Sequence, residues 1–233
     1  MLVVVVLTAD RTVERVAEVV PDDEIRAVGE AALRDTIRRL EETGSPVVSD
    51  GEQTKPSFAT YPLVGLENLA GDGVAIPFAD GHTRQLPRLA RGPFSYGVRA
   101  ASYLKTAQRY AKRPVKQAVI SACALSLLYP PSGLLDYSRD DFIEDLIQNA
   151  VRDITECLDA NAACVQIDFT EGRLALKLDS SGGLLNSFIE LNNRVLDSFS
   201  SEERNKIGVH AEIATPRTAP TSTTRNFSQN FSN

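Results

Sequence analysis

The sequence predicts an α/β protein in which a parallel β-sheet is covered by helices on both faces. Short apolar runs alternate along the chain with longer segments whose apolar residues recur every three or four positions. The runs are apolar almost throughout, as expected for strands that are buried on both faces of a sheet. Helices between such strands supply the crossover connections that parallel pairing requires.

Five runs are predicted as strands: Leu2–Leu7, Pro46–Ser49, Pro114–Ala122, Cys164–Phe169 and Ile207–His210. Four segments with helical periodicity are predicted as helices: Asp22–Thr43, Val98–Lys112, Tyr137–Asn161 and Leu184–Phe199. The third helix is the clearest, because it has Ser138 as a candidate N-cap, acidic residues in its first turn and one apolar stripe. A Pro- and Gly-rich excursion, residues 51–96, follows the second strand and contains hairpin-like pieces at 71–77 and 80–86.

The composition is that of a soluble globular protein with few basic residues. The chain of 233 residues has 25 Lys and Arg against 31 Asp and Glu, for a net charge of -6. Nucleic acids and anionic membranes bind clustered Lys and Arg, so neither is expected as a partner. The three cysteines have no disulfide spacing, and the opening apolar run lacks a leader and the length to span a membrane. These features predict a cytoplasmic protein.

Polar residues follow the predicted strands at their carboxyl ends, where parallel α/β folds carry their chemistry. The end of the second strand gives Asp50-Gly51-Glu52-Gln53 and that of the third gives Ser121-Ala122-Cys123. The fourth gives Asp168 and the fifth gives His210. Polar side chains that converge on one rim favour a barrel over an open sheet. A complete (β/α)8 barrel has eight strands and about 250 residues. The five predicted strands therefore indicate an incomplete (β/α)8 barrel of the TIM type.

Each of these residues also has an ordinary structural explanation. Asp50 and Glu52 could cap a turn, and His210 could be a satisfied structural histidine. Asp168 ends an apolar strand, where burying an unpaired carboxylate is costly, so it must be solvated, paired or functional. His82, in the excursion, could contact a substrate but has no evident partner in the sequence. The three cysteines, Cys123, Cys157 and Cys164, have no CxxC spacing and are predicted to be core residues.

Three segments resemble, in order, the catalytic barrel of cobalamin-independent methionine synthase. Ser49–Phe58 resembles the family's "DGEQ…PSF" segment, Val165–Asp168 its "IQID" strand, and Ile207–His210 the start of its "GVHTC" strand. The spacing of the three segments matches as well. The resemblance runs from about Ala31 to His210 and follows most closely the shorter, single-barrel branch of the family.

The resemblance implies zinc-dependent transfer of a methyl group from 5-methyltetrahydrofolate to the thiol of homocysteine, in methionine biosynthesis. Zinc would bind the homocysteine sulfur as a thiolate and so supply a nucleophile near neutral pH. By this resemblance His210 matches a zinc ligand, and Glu52 and Asp168 match the carboxylates that hold the ammonium group of the amino acid. Asp50, in the same motif as Glu52, is predicted with them as a substrate-binding residue.

The sequence departs from the family at two places. Met1–Asp10 lacks the Gly-Ser motif that the family's first strand contributes to the substrate site. Ala211-Glu212 stands where the family has Thr-Cys, whose cysteine is a zinc ligand, and the family's other glutamate and cysteine ligands lie further along. Of the four ligands one remains, or two if Glu212 substitutes. This is too few for a catalytic zinc site, so the chain is predicted to be inactive as it stands.

Residues 211–233 differ in character from the partial barrel predicted for residues 1–210. From Thr215 onward the chain is rich in Thr, Ser, Asn and Pro without an apolar period, which predicts a disordered tail. Permitted codons for Ala211–Asn233, read in another frame, give a sequence that resembles what the family carries shortly after its "GVHTC". We therefore expect the tail to be the family's own coding sequence read in a shifted frame.

Two alternatives stay open on sequence grounds. The chain could be a zinc-dependent thiol alkyltransferase that acts on another sulfur nucleophile, since related barrels can use the same zinc–thiolate chemistry. It could instead be a truncated relative that serves as a non-catalytic binding protein. Zinc bound at one equivalent would favour the enzymes, and a stable zinc-free monomer would favour the binding protein.

Overall fold

The computed structural model describes residues 22–77 and 83–211. The predicted strand Leu2–Leu7, His82 and the tail from residue 212 onward lie outside the described residues. The helices are α1 (Asp22–Glu42), α2 (Ala100–Gln108), α3 (Ala122–Ser126), α4 (Arg139–Asp159), α5 (Glu171–Leu178), α6 (Gly183–Leu196) and α7 (Ser201–Arg204). The strands are β1 (Val48–Ser49), β2 (Leu69–Ala70), β3 (Ala75–Pro77), β4 (Thr83–Gln85), β5 (Arg88–Leu89), β6 (Val115–Ile120), β7 (Val165–Asp168) and β8 (Ile207–His210). None of the helices in the described ranges is long and apolar enough to cross a membrane.

The main sheet has four strands in the order β1-β6-β7-β8, and every neighbouring pair is parallel. Asp168, the last residue of β7, is in register with Ile120 on one side and His210 on the other. The predicted parallel α/β arrangement is therefore confirmed, and four of the five predicted strands lie side by side in chain order. Their carboxyl ends meet at one edge of the sheet.

The helix α4 begins and ends close to its predicted limits because its sequence signals are strong. Ser138 Oγ accepts a hydrogen bond from the backbone N–H of Asp141, whose side chain accepts one from the backbone of Ser138. The predicted apolar stripe faces the core, where Phe142 and Leu146 are fully buried. Burial of a side chain of this size contributes about 2 kcal/mol to stability. The stripe holds α4 against α2, β6 and β7.

The excursion between β1 and α2 folds as short antiparallel ribbons. The two predicted hairpin-like pieces pair with each other as β3 and β4, the arms of a single hairpin, and β2 pairs with β5 next to them. A 3-10 helix, Tyr61–Leu63, precedes these ribbons and is buried. Tyr61 in particular is 0% exposed, so this part of the excursion belongs to the core.

Asp153 of α4 joins three elements behind the sheet. Its Oδ1 accepts a hydrogen bond from the backbone N–H of Ala100, the first residue of α2, at 2.7 Å, and its Oδ2 accepts one from the Tyr61 hydroxyl. Burial raises the pKa of Asp153 to about 6. Arg99, at the N-cap of α2, makes no side-chain capping bond, so Asp153 supplies the acceptor that this helix terminus needs.

Three short helices, α3, α5 and α7, were not predicted from the sequence. They have four to eight residues, too few to show a helical period. Their start signals are local: Ser121 Oγ accepts from the backbone N–H of Ala124 at 3.3 Å, and Ser200 and Glu203 form a capping box. These helices matter for the site because α3 and α5 begin directly after β6 and β7.

Candidate active site

The parallel sheet has one face under the helices and a second face that carries polar residues. Val115, Val119, Val165 and Ile167 lie on the first face and are at most 2% exposed. Side chains alternate between the two faces along a strand. We call the second face the inner face, since it is the face that lines the interior of a barrel. Its residues are Ser49 of β1, Lys116, Ala118 and Ile120 of β6, Gln166 and Asp168 of β7, and Gly208 and His210 of β8.

Asp168 and His210, both predicted as site residues, are in contact on the inner face. Asp168 Oδ1 lies 3.3 Å from His210 Nδ1, and the two side chains are 12% and 53% exposed. The register of β7 and β8 places them side by side at the carboxyl ends of the strands. A carboxylate in this position can hold an ammonium group. The histidine contact uses Nδ1, so Nε2 is the ring nitrogen through which a metal could be bound.

A second polar contact to Asp168 comes from its own strand. Gln166 Nε2 donates a hydrogen bond to Asp168 Oδ1 at 2.7 Å, and Lys116 Nζ donates one to Gln166 Oε1 at 2.8 Å. The two-residue spacing of Gln166 and Asp168 puts both side chains on the same face of the strand. This spacing is visible in the sequence, but it does not show that the amide of Gln166 bonds to the carboxylate. Lys116 interrupts an apolar run, and nothing in the sequence indicates that its ammonium reaches Gln166.

Asp50 is held behind the sheet. It is 1% exposed, its Oδ1 accepts from the backbone N–H of Glu52 at 3.0 Å, and its Oδ2 accepts from Gln117 Nε2 at 3.2 Å. Gln117 is on the helix-covered face of β6, next to the inner-face residue Lys116. Both oxygens of Asp50 are therefore used by the protein, and they hold the turn that presents Glu52.

Glu52 lies on this turn with a left-handed backbone (φ 58°), and Lys55 holds its side chain. Lys55 Nζ is 3.2 Å from Glu52 Oε1 and donates to the carbonyl of Ala118 at 2.8 Å. The ammonium also lies 4.9 Å from the centre of the Tyr61 ring, within cation–π distance. Lys55 was not predicted as a site residue, because nothing in the sequence indicates that its ammonium reaches β6.

A buried polar cluster connects the carboxyl ends of β6 and β7. Glu171 Oε2 accepts a hydrogen bond from Ser121 Oγ at 2.7 Å and lies 3.4 Å from Cys123 Sγ, and Asn192 Nδ2 donates to Cys123 Sγ at 3.3 Å. Burial raises the pKa of Glu171, and burial with the nearby Glu171 carboxylate raises the pKa of Cys123 to about 12. Cys123 is thus a protonated thiol at neutral pH and is not a nucleophile. The cluster fixes the segment that follows Asp168.

The predicted site residues therefore form two groups on either side of β6. Asp168 and His210 are in one group, and Asp50 and Glu52 are in the other. Among the described residues, no hydrogen bond or ion pair joins the two groups. The intervening strand separates β1 from β7 by roughly 10 Å, twice the usual spacing of neighbouring strands.

The described residues do not fit a zinc site. In the ranges 22–77 and 83–211 there is no group of three or more His, Cys, Asp or Glu side chains that could hold a metal ion. Asp168 and His210 make only two possible ligands, whereas a catalytic zinc takes three from the protein. Glu212, the residue that could substitute for the family's cysteine, lies outside the described residues. The zinc implied by the sequence resemblance is not supported by these side chains.

Comparison with known proteins places the fold among methionine synthases. A B12-independent methionine synthase from a Shewanella species, solved in complex with selenomethionine, is similar with a TM-score of 0.61 and 18% identity, over 82% of this chain and 53% of that one. A putative vitamin-B12 independent methionine synthase from Listeria monocytogenes is similar with a TM-score of 0.56 and 18% identity, over 82% and 56%. Neither the models of known protein families nor the curated proteins include a match.

These two structures confirm the fold that the three sequence segments predicted. At 18% identity the likeness concerns the fold and does not by itself assign an activity. This chain spans about half the length of each of the two proteins.

Proposed function

We propose that the chain carries the amino-acid-binding part of a methionine-synthase-like methyltransferase site. The observation that supports this proposal is the contact between Asp168 and His210 on the inner face, at the carboxyl ends of neighbouring parallel strands. In this proposal the bound amino acid is homocysteine, a similar amino-acid thiol or the methionine formed from it. The solved Shewanella protein was crystallised with selenomethionine, which is consistent with a ligand of this class.

In the proposed site Asp168 holds the ammonium group of the amino acid. Its side chain is 12% exposed, so salt screens the attraction between this carboxylate and an ammonium less than it would at the surface. An ammonium 4 Å from a carboxylate gains roughly 4 kcal/mol at the effective dielectric constant near a protein surface, before desolvation is subtracted. Glu52, held by Lys55 on the other side of β6, is the second carboxylate that the ammonium can approach.

The proposed reaction is methyl transfer to the amino-acid thiol. A bond forms between the sulfur and the methyl carbon while the bond from that carbon to N5 of the folate breaks. The thiol loses its proton and N5 gains one, so no proton is released overall. The attacking sulfur must be a thiolate, whereas a free thiol has a pKa of about 8.5. The described residues include no zinc site that would hold the sulfur in this form. We therefore propose that this chain binds the amino acid but does not turn it over.

Binding and turnover measurements test the two parts of this proposal separately. Isothermal titration calorimetry should detect methionine and homocysteine, and it should show much weaker binding of 4-(methylthio)butanoate, which lacks the ammonium group. D168N should weaken methionine binding at least tenfold, because a charge-assisted contact is lost. D136N changes an exposed aspartate in a loop and is the matched control. Equal affinity for methionine and its desamino analogue would contradict the proposed role of Asp168.

A working methyltransferase is the second candidate, and the likeness of the fold to two methionine synthases favours it. An assay with homocysteine, 5-methyltetrahydrofolate and added zinc distinguishes the two. Methionine formation by the chain would show a working methyltransferase. Tight methionine binding without any product would identify an amino-acid-binding protein that has the fold of the enzyme.

A further inference from the structure

Gln166 is the side chain that fixes the carboxylate of Asp168 from its own strand. Gln166 Nε2 lies 2.7 Å from Asp168 Oδ1, shorter than the 3.3 Å between that oxygen and His210 Nδ1. Both contacts that described side chains make with the Asp168 carboxylate use Oδ1. They hold the plane of the carboxylate in one orientation on the inner face.

The orientation of the Gln166 amide is itself determined by its neighbours. A lysine ammonium can only donate hydrogen bonds, and an ionised carboxylate can only accept them. Lys116 Nζ, 2.8 Å from Oε1, must therefore face the amide oxygen, and Asp168 must face the amide nitrogen. If the amide were flipped, its NH2 group would face the lysine ammonium, donor against donor, and its oxygen would face the carboxylate, acceptor against acceptor. Only one amide orientation therefore satisfies both contacts.

The positions of the three residues follow from the strand register. Ala118 of β6 is opposite Gln166 of β7, so Lys116, two residues earlier, is a diagonal neighbour on the same face. Diagonal neighbours are roughly 7 to 8 Å apart, a distance that a long lysine side chain spans. Lys116, Gln166 and Asp168 thus form a row along the inner face that ends at the proposed ligand site.

We propose that Gln166, with its amide oriented by Lys116, is a positioning residue for Asp168 in amino-acid binding. This inference rests on the proposed function, since it concerns how Asp168 is aimed at the ammonium group. Gln166 does not touch the ligand. It keeps the carboxylate from turning away from the site and supplies a hydrogen bond to its charged form.

A double-mutant cycle on the full chain tests this role. Methionine affinity is measured by calorimetry for the wild-type chain, Q166M, D168N and the double variant. Q166M should weaken methionine binding about tenfold, as expected for the loss of a hydrogen bond to a charged group. In the D168N background the same change should cost less than about twofold, because residues that act through one another are not additive.

Two further variants separate positioning from a general effect on folding. K116M leaves Gln166 in place but frees its amide, so it should weaken methionine binding in the same direction by about threefold. Q108M makes the same substitution in α2, where Gln108 Nε2 donates to the carbonyl of Ala160 at 2.8 Å, and should leave the affinity unchanged. Thermal unfolding of each variant shows whether it is folded under the conditions of the titration.

The outcomes distinguish this inference from the proposed function. If D168N weakens methionine binding while Q166M and K116M bind as tightly as Q108M, the positioning role is overturned and the proposed function stands. The positioning role would also be overturned if the loss of binding free energy in the double variant equalled the sum of the losses in Q166M and D168N. Such additivity would show that Gln166 acts independently of Asp168. If the wild-type chain does not bind methionine, or D168N does not change its binding, both proposals fail.

Discussion

The ammonium of Lys55 is buried, whereas the carboxylate that it holds, that of Glu52, is partly exposed. The two side chains are 1% and 37% exposed, and Nζ lies 3.2 Å from Oε1. The same ammonium donates to the backbone of β6 at Ala118. Lys55 therefore ties the turn that carries a predicted substrate carboxylate to the neighbouring strand of the sheet.

Replacing Lys55 should destabilise the fold. K55M removes the ion pair with Glu52 and the shorter of two hydrogen bonds to the carbonyl of Ala118, which keeps only Gln117 Nε2 as a donor, at 3.2 Å. We expect the free energy of unfolding in urea to fall by about 2 kcal/mol, less than for a fully buried pair because Glu52 can be solvated. K105M, on the exposed side of α2, is the matched control and should change stability by less than about 0.5 kcal/mol. Equal stability of the two variants would show that the Lys55 contacts contribute little.

Asp153 leads to a prediction about pH. Burial raises its pKa in the folded chain to about 6, from an ordinary value of 3.8. Below about pH 4 the carboxyl is protonated in both the folded and the unfolded chain. Between about pH 4 and pH 6 the folded chain keeps a proton that the unfolded chain releases, so the stability from this group falls as pH rises and is lost above about pH 6.

The variant D153N isolates this effect, because asparagine has no titrating group. Its amide oxygen can still accept from the backbone N–H of Ala100, and its amide nitrogen would donate to the Tyr61 hydroxyl in place of accepting from it. Urea unfolding is measured between pH 4.5 and pH 7 for both chains, which cancels the effect of other carboxyls. The stability of the wild-type chain relative to D153N should decrease over this interval. Parallel stability curves for the two chains would mean that Asp153 does not titrate there.

The main elements of the fold were predictable because their signals are local. The helix α4 was predicted as Tyr137–Asn161 and extends over Arg139–Asp159, because a cap and a continuous apolar stripe define it. The strand β8 was predicted as Ile207–His210 and has these limits in the structure. The strand β1 is shorter than predicted, two residues instead of four, since Pro46 has no N–H to donate to a neighbouring strand.

The contacts around the site were less predictable because they join residues that are distant along the chain. Asp50 accepts a hydrogen bond from Gln117. Glu52 is held by Lys55, whose ammonium donates to the carbonyl of Ala118 in β6, 63 residues further along the chain. Neither partner can be inferred from spacing. The closeness of Asp168 and His210 was foreseeable, since each lies at the carboxyl end of a parallel strand. The register that places the two residues directly side by side was not foreseeable.

The cysteines provide a test of the buried polar cluster. Cys123 and Cys157 are fully buried, which confirms the predicted core position for both, whereas Cys164 is only half-buried. Burial raises the pKa of the Cys157 thiol well above its ordinary value and that of Cys123 to about 12. Alkylation by iodoacetamide at pH 8, followed by peptide mass spectrometry, should modify Cys164 first. The other two should react only in denaturant, and rapid labelling of Cys123 would contradict its place in the cluster with Glu171.

Anomalous diffraction from a crystal of the chain with selenomethionine tests the central proposal most directly, because the selenium atom locates the ligand independently of any assumed pose. We expect one selenium site on the inner face, with the ligand's ammonium nitrogen about 3 Å from a carboxylate oxygen of Asp168. We also expect the D168N crystal, treated in the same way, to lose that site. Selenium bound away from the inner face, or a D168N crystal with the site unchanged, would contradict the proposal that Asp168 recognises the amino acid.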